Sequence, residues 1–174
     1  MVKTARRIPM TVTFLEMKAR PTALPPPQPR GKVALLKADK PPTHFYRYLY
    51  DTIGAEYCWV DRKKLTPQAL AELLQDPLNL MFVLYTEGCP AGMAELDLRK
   101  SGTANISYFG LMPEAIGKRL GYFFLYHTCM NAWAQPIQRL TINTCTLDHP
   151  RALPLYQRLG FTPYSREERF VELP

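Results

Sequence analysis

The chain is short of the residues that would organise a metal centre or a disulfide framework. Its four cysteines, Cys58, Cys89, Cys129 and Cys145, are widely scattered, with no CxxC pair and no histidine at metal-ligand spacing. This argues against both a zinc site and a cross-linked scaffold, so no metal is expected and reduced thiols in a cytoplasmic protein are the expected state. No apolar run approaches the roughly 18 residues needed to cross a bilayer, which leaves no membrane span to place. Lys3, Arg6 and Arg7 precede a short apolar stretch, Met10–Leu15. That stretch alternates with polar residues and lacks a small-residue cleavage site, so no signal peptide is expected. The phosphate-binding spacings GxxxxGK[ST] and GxGxxG are also missing, so a nucleoside triphosphate or a dinucleotide is not implied.

What is there describes one globular domain. A chain of 174 residues is long enough to bury a core, and 47% hydrophobic with 21% charged residues separates it from disordered sequences. The formal net charge of +7 is unevenly placed. Residues 1–40 hold nine Lys or Arg against Glu16 and Asp39, while the remainder holds 13 of each sign. The excess therefore belongs to a basic, Pro-rich segment, residues 1–42, which carries eight of the 17 prolines and a first strand near Thr11–Met17. No aromatic residues interleave with its basic positions as a base-stacking platform requires. The segment reads as a solvated arm of the same domain as residues 43–174 and does not favour nucleic acid.

Patterning along the chain alternates strands and helices. After a short strand at Lys32–Leu36, aromatics at helical spacing (Phe45, Tyr46, Leu49, Tyr50) predict a helix from Thr43 to Gly54. A second helix starts at Thr66, as cap, with Pro67 in its first position. Three strands follow, Leu80–Thr86, Ala91–Leu98 and Asn105–Met112, linked by turns at Glu87-Gly88 and Arg99–Gly102. Helix 117–134, strand Leu140–Leu147, helix Arg151–Leu159 and a last strand or hairpin over Phe161–Leu173 complete the chain. Hairpin strands followed by a βαβ crossover predict an α/β (α+β) sandwich around a mixed, mostly antiparallel sheet of six to seven strands with about four helices.

Two segments carry chemistry. In the first, the strand ending at Pro113 runs through a glycine-containing loop into a helix. Unpaired amides at a helix start and the positive end of its dipole can hold phosphates. Gly117 and Gly121 permit close approach, and Lys118 and Arg119 add charge. In the second, Leu147-Asp-His-Pro-Arg-Ala-Leu-Pro-Leu-Tyr-Gln-Arg-Leu-Gly-Phe161, Asp148 is placed to cap a helix that bears Tyr156 and stops at Gly160.

Together these segments, strand–Pro-xxx-Gly-xxx-Gly–helix followed by A-xx-LY-xxx-GF, resemble the GNAT N-acetyltransferase family. Ala152, Leu155, Tyr156, Gly160 and Phe161 match its C-terminal motif. A bacterial subgroup of unassigned substrate is especially similar through Phe45-Tyr-Arg-Tyr-Leu-Tyr50, Phe109-Gly-Leu111 and Thr144–Pro150. The resemblance implies the GNAT fold, with acetyl-CoA held in a V between the Asn105–Met112 and Leu140–Leu147 strands, the fourth and fifth when Lys32–Leu36 is not counted. It implies that the backbone of Phe109, Gly110 and Leu111 pairs with the pantetheine arm. It further implies that the amides of Gly117, Lys118, Arg119, Leu120, Gly121 and Tyr122 take the pyrophosphate, that Asp148, His149 and Ala152 border the cofactor, and that Tyr156 stands near the sulfur. The chain departs from the family pattern at three places, four residues in all. Ile116 and Arg119 replace the Q/R and first Gly of Q/R-x-x-G-x-G/A, His149 stands where Asn is common, and Asn105 stands where one branch carries a glutamate base. Arg119 is expected in a helical turn with negative φ.

The implied reaction moves an acetyl group from acetyl-CoA to an amine by direct transfer, with Tyr156 as acid for the departing thiolate. Cys145 is the nearest alternative nucleophile and is expected to be structural. Glu95 is the candidate base, on the face of its strand shared with Met93 and Asp97, with Asp97 and His149 behind it. Some rings among Phe45, Tyr46, Tyr48, Tyr50, Tyr57 and Trp59 are expected to shape the acceptor pocket, with Glu56, Asp61 and Arg62 as unranked polar candidates. The alternative reading is a CoA-binding domain that has lost catalysis and acts in regulation. The amine's identity and the oligomeric state, including a homodimer, stay open.

Overall fold

The computed structural model describes residues 6–173. Seven strands, β1 (Arg6–Met17), β2 (Val33–Ala38), β3 (Asn79–Thr86), β4 (Cys89–Asp97), β5 (Thr103–Leu111), β6 (Arg139–Cys145) and β7 (Thr162–Leu173), form one sheet in the order β2-β3-β4-β5-β6-β1-β7. Four helices flank it: α1 (Thr43–Gly54), α2 (Pro67–Gln75), α3 (Leu120–Trp133) and α4 (Ala152–Leu159). This is the mixed α/β sheet expected, with β2 counted. The end of the chain forms one long strand rather than a hairpin, because β1 takes all of β7 as its antiparallel partner.

Local chemistry accounts for most element boundaries. Thr66 Oγ1 accepts from the Ala69 amide at 3.1 Å with Pro67 in the first helical position, so α2 starts where its cap stands. The β3–β4 turn places Glu87 and Gly88 at φ of 50° and 82°, which fits the twist of a two-residue hairpin. Helix α3 is buried on every side, through Leu120, Phe123, Phe124, Leu125, Tyr126, Thr128, Cys129 and Ala132. It is wedged between the sheet and α4 instead of riding on the surface.

The basic segment is not a solvated arm where it forms β1 and β2, although residues 18–32 between them are largely exposed. Strand β1 lies between β6 and β7, antiparallel to both, and β2 pairs with β3. Several of its charges meet partners, Arg7 with Glu172 at 3.8 Å and Lys37 with Asp39 at 2.6 Å. A strand so placed cannot be released without opening the sheet.

One irregularity positions the site. Strands β5 and β6 run parallel, joined by the α3 crossover, and pair only from Thr103↔Arg139 to Ile106↔Ile142. On the other side of β5 the register steps from Glu95↔Tyr108 to Leu96↔Ile106, so Ser107 is an extra residue. A bulge bends its strand and increases the local twist, and this one falls where pairing with β6 ends. Beyond it β5 continues to Leu111 and β6 to Cys145 without meeting, and a V opens between them.

Candidate active site

The V is a cleft of about 850 Å³, within the usual range for small-molecule sites. Its β5 wall consists of Ser107 to Leu111, its β6 wall includes Asn143 and Cys145, and the starts of α3 and α4 close one side. Successive β5 side chains alternate between faces. Tyr108 meets Tyr50 and Trp59 on the α1 side, with ring centroids 4.9 and 4.8 Å apart, and Phe109 meets Phe124 of α3 at 5.0 Å. A Cβ on Gly110 would overlap the Ile53 Cγ2 methyl and lie 3.2 Å from Trp59 Cη2. Glycine at this position lets the α1–α2 region seat directly against the strand that lines the cleft.

At the start of α3 the loop residues Gly117, Arg119, Leu120, Gly121 and Tyr122 line the cleft, whereas Lys118 does not. Gly117 has φ 83° and Arg119, the residue before the helix, has φ 62°. The negative φ expected of Arg119 is therefore corrected: it occupies the left-handed region, where glycine is at ease and arginine is strained by roughly 1–2 kcal/mol. Left-handed residues ahead of a helix turn successive N–H groups toward one side and build anion-binding concavities. Around this mouth Arg119, Arg151 and Arg158 line the wall, with the Arg158 guanidinium 4.6 Å from the centroid of Tyr122. Free amides, a left-handed curl and three guanidinium groups suit a phosphorylated ligand.

The second segment is arranged differently from its sequence reading. Asp148 does not cap α4. Its carboxylate accepts from Thr144 Oγ1 at 2.7 Å and from the Cys145 amide at 2.8 Å, turning back on the end of β6. His149 takes up the helix start, its Nδ1 accepting from the Arg151 amide at 3.1 Å. Tyr156, one turn into α4, is only 5% exposed, with its ring packed edge-on against Phe109 and Phe161 at 6.3 Å each. Its hydroxyl lines the cleft and has no hydrogen-bond partner among the described residues. Burial, with the Asp148 carboxylate adding to it, pushes this phenol well above its ordinary range. Cys145 also lines the cleft, and burial followed by Asp148 pushes its thiol up as well, which opposes a thiolate nucleophile.

Glu95 does not border the cleft. It is fully buried beneath α1, where its carboxylate accepts from the Tyr46 hydroxyl and from the Arg62 guanidinium. Asp97 stands at the opposite end of the sheet, held below the usual carboxylate range by its hydrogen bonds with Arg99. Of the aromatic cluster, Tyr57 and Trp59 reach the cleft, Tyr46 and Tyr50 are core, and Tyr48 is exposed. The structure thus brings Phe109, Gly110, Leu111, Gly117, Arg119, Leu120, Gly121, Tyr122, Asp148, His149, Ala152 and Tyr156 to one cleft and leaves Lys118 and Glu95 outside it. Arg151 and Arg158 escaped the sequence reading, although a separation of seven residues puts two side chains on one helix face.

The sheet is mixed and parts at a bulge, with a helix start on one arm of the V and Tyr156 within it. The sequence model of the acetyltransferase (GNAT) family matches residues 37–161, and the chain belongs to that family. Solved structures share the fold at low identity. A GCN5-related N-acetyltransferase from Kribbella flavida superposes with a TM-score of 0.63 at 16% identity, covering 95% of this chain and 60% of the other. A Drosophila protein gives 0.70 at 13%, covering 97% and 52%. A ribosomal-protein alanine N-acetyltransferase from Escherichia coli gives 0.62 at 16%, covering 77% and 80%. This chain spans between 52% and 62% of the length of several such structures. No curated protein matches its sequence.

Proposed function

We propose that this chain is an acetyl-CoA-dependent N-acetyltransferase that delivers an acetyl group directly to a primary amine in a ternary complex. The observation that carries the reading is Tyr156, a proton-bearing hydroxyl without a protein partner, set in a cleft opened by the end of β5–β6 pairing. Acetyl-CoA supplies the acyl group as a thioester. The β5 backbone at Phe109, Gly110 and Leu111 offers edge hydrogen bonds to an extended ligand arm. The amides of Gly117 and of Arg119 to Tyr122 suit its phosphates, the Lys118 amide being bonded to the Ala115 carbonyl. The amine nitrogen bonds to the thioester carbonyl carbon, the carbon–sulfur bond breaks, the sulfur leaves with the Tyr156 proton, and the nitrogen gives its surplus proton through water to the Tyr156 phenolate, restoring the phenol.

The attacking amine must first lose a proton, since a lysine-like amine has a pKa of about 10.4. No cleft-lining side chain is free to take it. Asp148 is held by Thr144 and Cys145, and Asp61 lies 3.5 Å from Lys64 on the rim. His149 commits its Nδ1 to the Arg151 amide at the start of α4. Water is therefore the proton acceptor in this reading. Glu95, by locking Arg62 and Tyr46, holds the acceptor wall in position instead of acting as the base.

Calorimetric titration with acetyl-CoA, paired with thiol release over a panel of amines, tests the proposal. Binding with thiol release on one amine class supports it. Binding without turnover on a broad panel would favour a regulatory CoA-binding domain, and no binding would overturn both.

A further inference from the structure

The acceptor side of the cleft has a chemistry of its own. One wall is the α1–α2 loop, where Tyr57, Cys58, Trp59 and Val60 line the cavity. Trp59 is braced by Tyr50 and Tyr108, with centroids 5.3 and 4.8 Å away. The hydroxyls of Tyr50 and Tyr108 are spent inside the protein. Tyr50 and Tyr108 join hydroxyl to hydroxyl at 3.3 Å, and the Tyr50 oxygen accepts from the Arg62 amide at 3.2 Å. Across the cavity stand Met10 and Val12 of β1 with Phe170 and Val171 of β7. The faces offered to an acceptor are thus aromatic and aliphatic.

Charge narrows the acceptor further. On this side Asp61 is paired with Lys64 at 3.5 Å, and Arg169 is paired with Glu167 at 2.6 Å. Asp148 is anchored through Oδ2, which accepts from both Thr144 Oγ1 and the Cys145 amide. A ligand with several ammonium groups would lose their hydration and find, among the described cleft-lining residues, only two carboxylates, Asp61 beside Lys64 and Asp148 engaged through Oδ2, too few to match each charge. That cost is heavy in a partly dry site. A ligand with one amine, neutral at the moment of attack, and an apolar body meets no such cost, and its ring can pack on Trp59. Building on the acetyltransferase reading of the same cleft, we infer that the acceptor is a monoamine on an aromatic body, and not a polyamine or an aminoglycoside.

The test uses the two tryptophans of the sequence, Trp59 and Trp133. Trp133 Nε1 is buried without a partner, so Trp133→Phe removes an unsatisfied donor and leaves Trp59 as the sole indole reporter. In that variant 2-phenylethylamine is expected to change Trp59 fluorescence saturably and spermidine is not. In thiol release, kcat/KM for 2-phenylethylamine should exceed that for spermidine and for kanamycin at least tenfold. Trp59→Ala should raise its KM about tenfold while calorimetric acetyl-CoA affinity stays unchanged. Preference for spermidine or kanamycin overturns the inference, as does 2-phenylethylamine that neither perturbs Trp59 nor is acetylated while acetyl-CoA binds. A saturable Trp59 response in a protein that fails to bind acetyl-CoA would support the pocket's selectivity and defeat the acetyltransferase reading instead.

Discussion

Strands β5 and β6 are two different structures along their length. Where they pair, polar side chains answer one another: Thr141 Oγ1 donates to Asn105 Oδ1 at 2.8 Å, and Asn105 Nδ2 donates to Ser107 Oγ at 3.2 Å. A hollow of about 590 Å³ lies at that end, yet its charges other than Lys100 are also matched, Arg99 with Asp97 and Arg139 with Glu16, each at 2.6 Å. Past Ser107 the same strands face a cleft in which the Tyr156 hydroxyl and the amides of Gly117 and Arg119 have no partner among the described residues. Buried polar groups are nearly always paired within a native fold. A cavity with satisfied walls is therefore architecture, and one with waiting donors is a site. The Glu95–Arg62–Tyr46 cluster falls on the architectural side of this line although it holds a buried carboxylate.

The largest expected effect tests that placement. Glu95→Ala strands the Arg62 guanidinium, only 17% exposed, and the buried Tyr46 hydroxyl. Removing one partner of a buried pair costs about 3–5 kcal/mol, visible as a drop in the urea midpoint. A change below about 1 kcal/mol would take Glu95 out of the frame and reopen it as a base.

Tyr156→Phe should do the converse. It breaks no internal hydrogen bond, so stability should hold within about 0.5 kcal/mol, while kcat falls on the order of 10²-fold with unchanged acetyl-CoA affinity. Because burial raises this phenol above its ordinary pKa, the acid form persists across and beyond the neutral range. The wild-type kcat/KM should then climb with pH as the amine deprotonates, and show no falling limb from Tyr156 below about pH 10. A falling limb near pH 8 that vanishes in Tyr156→Phe would contradict the raised phenol.

How far these two regions could be told apart from sequence depends on the range of the contacts involved. Thr66-Pro67, Glu87-Gly88 and the glycine after α4 act within a few residues, and they mark their elements directly. Tyr156 was legible because its motif repeats a known spacing. Glu95 was not: alternation along β4 set it opposite Ala94, but β4 is buried on both faces, and its partners arrive from α1 and from the α1–α2 loop. The position of β1 between β6 and β7 is equally nonlocal. Asp148 misled because a cap and a backward hydrogen bond to the preceding strand end use the same residue type, and Thr144 won the contest.

Gly110→Ala probes the seam between frame and cleft. The added methyl meets Ile53 Cγ2 and the Trp59 indole, where the α1 side adjoins the cleft wall. Overpacking of this kind costs about 1–3 kcal/mol and should weaken acetyl-CoA only by as much as β5 shifts. Full stability with lost binding would show that the methyl enters the cleft.

The smallest effect is at Arg119, and its sign is the informative part. Held at φ 62° just before α3, arginine carries left-handed strain that glycine would not. Relief of roughly 1–2 kcal/mol is offset by about 0.5–1 kcal/mol of additional chain entropy lost on folding. Arg119→Gly should therefore leave the melting temperature unchanged or slightly higher, whereas Arg119→Val, β-branched in a region it avoids, should lower it. The glycine variant also removes a cation from the mouth of the cleft. Its acetyl-CoA affinity should fall severalfold at low salt and converge on the wild-type value as screening shortens the reach of charge. If glycine instead destabilises the fold, the side chain contributes more than its backbone costs, and Arg119 belongs with the frame after all.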